Sequence, residues 1–186
     1  MRKLLFVLSY CIPALLLAFA VSSPSRSATG SYAEDRALIE DLQARYMFAL
    51  DFGDADTYVS LFTDDGVLDV GDGETKGHDA IRKAISGMPD RRPVQATGEA
   101  AKQLRAPTGR HNIANVVVKV NGNKALGRAY WFHYGNNNPQ RIATFDSYGH
   151  YEDEMVKVNG KWLFSKRRIY NEGLDKWAAK RANPAW

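Results

Sequence analysis

Residues 35–70, DRALIEDLQARYMFALDFGDADTYVSLFTDDGVLDV, decide how this chain folds. In the first half Ile39, Leu42, Tyr46 and Leu50 recur at helical spacing, so one face can lie in a groove while Glu40, Gln43 and Arg45 stay in water. The helix should stop at Phe52 or Gly53, where glycine suits the left-handed conformation of a C-terminal cap. That leaves Asp51 in the last turn, facing the negative end of the helix dipole, a mildly unfavourable place for a carboxylate. Asp54 is placed to cap a second, short helix carrying Tyr58, Leu61 and Phe62. Thr63-Asp64-Asp65-Gly66 then leads into a strand beginning at Val67.

After Val67–Val70 comes a turn, Gly71-Asp72-Gly73. The surrounding Asp69–Glu74 segment lacks the ligand spacing and closing Glu of a calcium loop. Gly77-His78-Asp79 opens a third helix with Ala80, Ile81, Ala84 and Ile85 as its apolar stripe and Met88-Pro89 as its stop. Residues 89–109 carry three prolines and no period, a loop long enough to cover a pocket. From Arg110 onward the pattern is strand after strand. His111–Val120 alternates into Asn-Gly-Asn at 121–123, and Leu126–Tyr134 returns as the other arm of a hairpin. Beyond the turn Gly135-Asn136-Asn137-Asn138-Pro139, residues 141–158 form a long strand with a bend or bulge expected near Gly149. Asn159-Gly160 turns it into Lys161–Tyr170. Leu174, Trp177 and Ala178 suggest a short closing helix. Helices first and antiparallel strands afterwards make an α+β domain, with a strongly bent antiparallel sheet curling around the N-terminal helices.

The chain has 186 residues, 45% apolar and 25% charged, enough for one domain with a substantial core and not for two. Arg2 and Lys3 precede an apolar run from Leu4 to Val21, and Ala18-Phe19-Ala20 supplies small residues where a signal peptidase reads. This predicts a signal peptide over 1–20 and a secreted or periplasmic protein; left uncleaved, the same segment would be a membrane anchor. A polar Ser-rich linker over 21–33, one domain over 34–172 and a tail over 173–186 complete the division. Removing Arg2 and Lys3 from 25 basic residues leaves 23 against 21 acidic, a net of +2, which is no nucleic-acid-binding charge. Nor is stable membrane association expected after cleavage. The single Cys, Cys11, falls in the signal, so the mature domain can form no internal disulfide.

Several pieces recur in a known order: Tyr46-x4-Asp51-x2-Asp54, Leu61-Phe62-Thr63-x-Asp65-Gly66, Gly77-x2-Ala80-Ile81, Arg110-His111-x3-Asn115 and Gly149-x-Tyr151-x-Asp153-x7-Gly160-x-Trp162-x5-Arg168. Together, over roughly residues 34–170, they resemble the SnoaL-like branch of the NTF2-like superfamily. The resemblance implies a cone-shaped α+β barrel with a mostly apolar pocket at its open end, and a homodimer paired through its sheets. In the lyases it most resembles, a helix-end Asp and a strand His form a dyad, here Asp51 and His111. The bile-acid dehydratase branch adds a Tyr five residues before the Asp, matched by Tyr46, and a late Arg matched by Arg168. Scytalone dehydratase has a further His between its Asp and its strand His; His78, at a helix start, is no good equivalent.

The residue types fit that chemistry. Elimination or isomerisation beside a carbonyl needs a base effective near neutral pH, and histidine is the natural one. A carboxylate on one ring nitrogen fixes the tautomer, so the other nitrogen can take a proton. Asp51 would orient, His111 abstract, and Tyr46 donate to the oxygen where charge develops. Arg168, Asn115 and Tyr151 are the expected substrate-binding residues, Arg168 for an anionic group. His111 shares a strand face with Ile113, Asn115 and Val117, a half-polar row suited to a pocket wall. His133 and His150 lie among aromatics and read as packing. No metal set, dinucleotide fingerprint or nucleophile elbow is present, and nothing calls for an organic cofactor. The expected function is a cofactor-independent lyase or isomerase of dehydratase type acting on a small apolar oxygenated molecule. The alternatives are a ligand-binding module that uses the same cone without chemistry, and a subunit of a larger assembly.

Overall fold

The computed structural model describes residues 31–71, 73–86, 109–136, 138–140, 142–174 and 182–186. The expected signal, most of the linker, the 89–108 loop, and Trp177 and Ala178 of the tail lie outside these. Among the described residues no helix is long and apolar enough to cross a membrane.

Helix α1 (Tyr32–Phe52) starts where Ser31 accepts a hydrogen bond from the Glu34 amide and ends at Gly53, whose φ of 68° is the left-handed cap expected from the sequence. It buries Ile39, Leu42, Tyr46, Met47 and Ala49; each large apolar side chain so enclosed contributes about 1.5–3 kcal/mol. Gln43 departs from expectation: it is fully buried, with its amide nitrogen 3.4 Å from the Asp153 carboxylate. Helix α2 (Ala55–Ser60) is capped by Asp54, as predicted. Strand β1 (Phe62–Asp69) already begins at Phe62, and its pairing slips across Thr63–Gly66 before resuming at Val67. A short strand the sequence did not reveal, β2 (Glu74–Lys76), pairs back onto β1. Helix α3 (His78–Ile85) follows, capped by Gly77.

The remaining strands are β3 (Gly109–Asn121), β4 (Lys124–Gly135), β5 (Thr144–Val158) and β6 (Lys161–Asn171). They form one six-stranded sheet in the order β2-β1-β6-β5-β4-β3. All neighbours are antiparallel except β1 and β6, which run parallel. The helices pack against one face, so the α+β architecture with a curved sheet is as the sequence led us to expect.

Three one-residue irregularities decide which side chains face inward, because side chains alternate along a strand and one extra residue swaps the faces beyond it. In β3 the register shifts between Ala114 and Val117, where Asn115 adopts a φ of 52°. In β5 the shift leaves Asp146 unpaired between Phe145 and Ser147. In β6 it lies between Phe164 and Lys166. The bulge expected near Gly149 therefore falls three residues earlier. Gly149 instead permits a close approach of two strands. Any Cβ there would run into the Tyr170 carbonyl, so only glycine lets β5 and β6 come together at this point.

The core gathers Ile39, Tyr46, Tyr58, Leu61, Phe62, Leu68, Ile81, Tyr151, Met155 and Phe164 between helices and sheet. At the other end of α1, Asp35 accepts from Lys157 Nζ at 2.6 Å and Trp162 Nε1 at 3.0 Å, tying the helix start to the β5–β6 hairpin.

Candidate active site

The last turn of α1 and the first residues of β3 meet at one end of the sheet's inner face. Asp51 has no basic residue beside it in that turn, and the helix end disfavours its charge. Strand β3 compensates by donating to both carboxylate oxygens. The His111 amide bonds Oδ2 at 2.9 Å, and His111 Nδ1 bonds Oδ1 at 2.6 Å. With a carboxylate as acceptor, Nδ1 carries the hydrogen and Nε2 is left as the basic nitrogen. The Asp51 side chain is 5% exposed and that of His111 16%, so the ring is reachable while the carboxylate is enclosed. The two residues that the family resemblance paired across sixty positions are therefore in contact.

A second imidazole–carboxylate pair stands beside it. His133 of β4 is directly opposite His111 in the ladder, and the ring centroids are 4.4 Å apart. Its Nδ1 is 2.6 Å from Asp146 Oδ1, and Ser147 Oγ donates to the same oxygen at 3.2 Å. The Trp131 ring lies 6.0 Å from His111, and Ile113, opposite Trp131 in the ladder, continues the wall. His133 is buried, as its aromatic neighbourhood suggested, but it also has a carboxylate partner that the neighbourhood did not reveal. The signal that could have found His133 was the alternation in Tyr130-Trp131-Phe132-His133-Tyr134, which puts Trp131 and His133 together on the face away from the three other rings.

The other expected site residues are elsewhere. Tyr46 lies five residues before Asp51, so the two point about 140° apart around the helix axis. Its ring is fully buried, and its hydroxyl pairs with that of Tyr58 at 2.7 Å. Burial pushes both phenols above their ordinary pKa. Tyr151 does face inward but is enclosed at 1% exposure, its hydroxyl 4.0 Å from Met47 Sδ. Burial first, and then neighbouring groups including the Asp51 carboxylate, raise its pKa against the pull of Arg167. Asn115 is exposed at the β3 bulge, and Val117 beyond it points outward; the half-polar row predicted for His111 is broken there. Arg168 is also a correction: it lies on the outer face, opposite Glu152, and its Nε bonds Asp69 Oδ2 at 2.6 Å.

The arginine that turns inward is Arg167. It makes a bidentate pair with Asp153 at 2.8 and 2.7 Å, and its guanidinium lies 4.1 Å from the ring centroids of Tyr46, Tyr151 and Phe164. Burial opposes the charge on Arg167, but Asp153 outweighs it and raises the guanidinium pKa. His78 Nε2 contacts the Phe62 carbonyl at 3.0 Å, a structural contact, as its position at a helix start implied. His150 stacks on Tyr170 and bonds Glu172. Among the described residues no group of three His, Cys, Asp or Glu side chains is placed to hold a metal ion.

The SnoaL-like domain family matches residues 31–168. No curated protein matches the chain. A protein of unknown function from Mycobacterium tuberculosis is 22% identical with a TM-score of 0.64, over 81% of this chain and 84% of that one. A Nostoc punctiforme protein described as having a cystatin-like fold is 27% identical with a TM-score of 0.60, over 75% of this chain and 92% of that one. A protein from Novosphingobium aromaticivorans described as a putative scytalone dehydratase is 21% identical with a TM-score of 0.58, over 75% of this chain and 85% of that one. At these identities the likeness is one of fold.

Proposed function

The chain belongs to the SnoaL-like domain family, and from that premise we propose that it is a cofactor-independent lyase or isomerase of dehydratase type, acting on a small, apolar, oxygenated molecule. One observation carries this reading: both oxygens of Asp51 are taken up by His111, with the ring nitrogen at 2.6 Å. That bond orients the ring, holds the tautomer whose Nε2 accepts a proton, and stabilises the imidazolium that results. In an elimination, Nε2 of His111 takes the proton from the carbon next to a carbonyl. The electron pair forms the new double bond, and the hydroxyl on the adjacent carbon leaves as water with a proton from a second group. His133, held through Nδ1 by Asp146, is the nearest imidazole to supply it, from Nε2 of its imidazolium form, which becomes neutral as the water leaves. Trp131 and Ile113 would hold the apolar part of the substrate. General acid–base help of this kind contributes roughly 10²- to 10⁴-fold.

The test is turnover of a panel of hydroxylated polycyclic ketones, with water loss read by mass. His111→Ala and Asp51→Asn should each abolish turnover while the protein stays folded. Activity retained in both would reject the dyad. A compound bound tightly and recovered unchanged, with affinity indifferent to His111→Ala, would make the protein a binding module.

Export through residues 1–20 and a homodimer belong to the same proposal. In support of the second, Tyr134, Phe145 and Tyr148 lie exposed on the outer sheet face around Phe132, ring against ring, with exposed Tyr130 on the same face. Exposed aromatic patches of this kind are typical of association surfaces. Light scattering of the processed protein should give twice the monomer mass, and a monomer at micromolar concentration would remove that part of the proposal.

A further inference from the structure

We infer that Gly135 is a positioning residue, kept free of a side chain so that Asp146 can reach across and hold His133. The inference rests on the reading of His133 as a working imidazole, but its physical content is separate and can be measured separately.

Gly135 pairs with Thr144, and Tyr134 with Phe145; then His133 pairs with Ser147, and Asp146 is the extra residue. A residue at such a bulge is released from strict alternation, so its side chain can be re-aimed. Asp146 turns toward the inner face and its Oδ1 meets His133 Nδ1 at 2.6 Å. The route it takes crosses the position above Gly135. A Cβ built there would lie 2.5 Å from Asp146 Oδ2 and 3.2 Å from His133 Cε1. Both contacts fall on the two groups that make the pair. Thr144 Oγ1 donates to the Gly135 carbonyl at 3.2 Å, which fixes the backbone at this point.

Two features make the consequence selective. Gly135 does not have a positive φ, so alanine imposes no backbone strain there. The obstructed Asp146 side chain is 43% exposed, whereas His133 is 6% exposed. The carboxylate can therefore swing into water when pushed, and the buried ring cannot. Gly135→Ala should leave the fold intact and separate Asp146 from His133. His111 keeps its own carboxylate, Asp51, from a different element, and should not notice.

Which ring nitrogen carries the hydrogen reports this directly. Held by Asp146, neutral His133 carries it on Nδ1, the opposite of the tautomer imidazole favours in water. Long-range ¹H–¹⁵N spectra of the labelled protein at alkaline pH resolve the two, with His133→Gln assigning the signals. In the unsubstituted protein both His133 and His111 should show a protonated Nδ1. Gly135→Ala and Asp146→Ala should each move His133 to the Nε2-protonated pattern and leave His111 unchanged. Asp146→Ala serves as the second variant because it removes an exposed side chain and creates no contact. An unchanged His133 pattern in Gly135→Ala would overturn the inference, as would a shift of His111 alongside it. Turnover does not enter this readout, so a reaction that failed to materialise would count against the proposed function and not against the role of Gly135.

Discussion

Two ion-paired clusters on the same inner sheet face have opposite characters. Around Arg167 and Asp153 both side chains are wholly enclosed, the contact is bidentate, and three aromatic rings surround the guanidinium. Around His111 and His133 each ring has a single carboxylate, the carboxylates come from different elements, and His111 is partly exposed. A buried charge is structural when an opposite charge neutralises it and packing shuts out solvent, as for Arg167, even though its Nη1 has no hydrogen-bond partner among the described residues. It becomes chemistry when one valence is left facing a space that a substrate can enter. The first cluster closes one region of the fold, and the second leaves the His111 ring partly exposed.

The difference is broken most forcefully at the closed cluster. Arg167→Ala leaves Asp153 buried without its partner and opens a gap among Tyr46, Tyr151 and Phe164. Removing one member of a buried pair costs about 3–5 kcal/mol, a large part of the stability of a domain this size. Urea denaturation should show the midpoint falling accordingly or no folded protein at all. A loss below about 1 kcal/mol would mean the cluster is not structural.

Tyr46→Phe tests the boundary between the two regions. Deleting that hydroxyl leaves buried Tyr58 without its partner at 2.7 Å, a cost of about 1–3 kcal/mol. Turnover should stay within about twofold of the original. A hundredfold loss at full folding would return Tyr46 to the catalytic role its place in the motif implied.

How far the sequence could be read follows from the same parity that sorts these clusters. The helix with Asp51 in its last turn, the Gly53 cap, the Asp54 cap and both hairpin turns were legible, because each depends on neighbours a few positions apart. The meeting of Asp51 with His111 depends on no such local pattern, and only the family resemblance implied it. The bulges were not legible, and the inner wall depends on them. Counting back from the turn that pairs Asn121 with Lys124, an unbroken ladder would set Tyr134 opposite His111. The extra residue at Asn115 sets His133 there instead. Alternation from Phe164 would carry Lys166 and Arg168 inward, and the β6 bulge substitutes Arg167. Asn115 did carry a faint sign, since asparagine is among the few non-glycine residues that tolerate a positive φ. The β5 bulge at Asp146 left none that we can identify.

At the start of α1, Asp35 provides a pH test on a charge that belongs to neither cluster. Burial works against its ionisation, but hydrogen bonds from Lys157 and Trp162 and the Lys157 charge together hold its pKa below the ordinary value. The pair therefore stabilises the fold in full above the unfolded pKa of about 3.9, and the contribution disappears as pH falls through the lower, folded-state value. Asp35→Asn should cost about 1 kcal/mol at neutral pH. That cost should shrink as the pH falls below about 4. A cost unchanged down to low pH would show that shape at this position matters and charge does not.

Arg168 should give the smallest effect. It sits on the outer face with its side chain 40% exposed, bonded to Asp69, so Arg168→Gln removes a partly solvated ion pair worth about 0–1 kcal/mol. Because it lies on the opposite face of the sheet from His111 and His133, KM and kcat should remain within about twofold. A tenfold rise in KM alone would mean that an anionic group on the substrate reaches Arg168. The pocket would then open across the outer face, and the division into a closed and a reactive region on the inner face would have to be drawn differently.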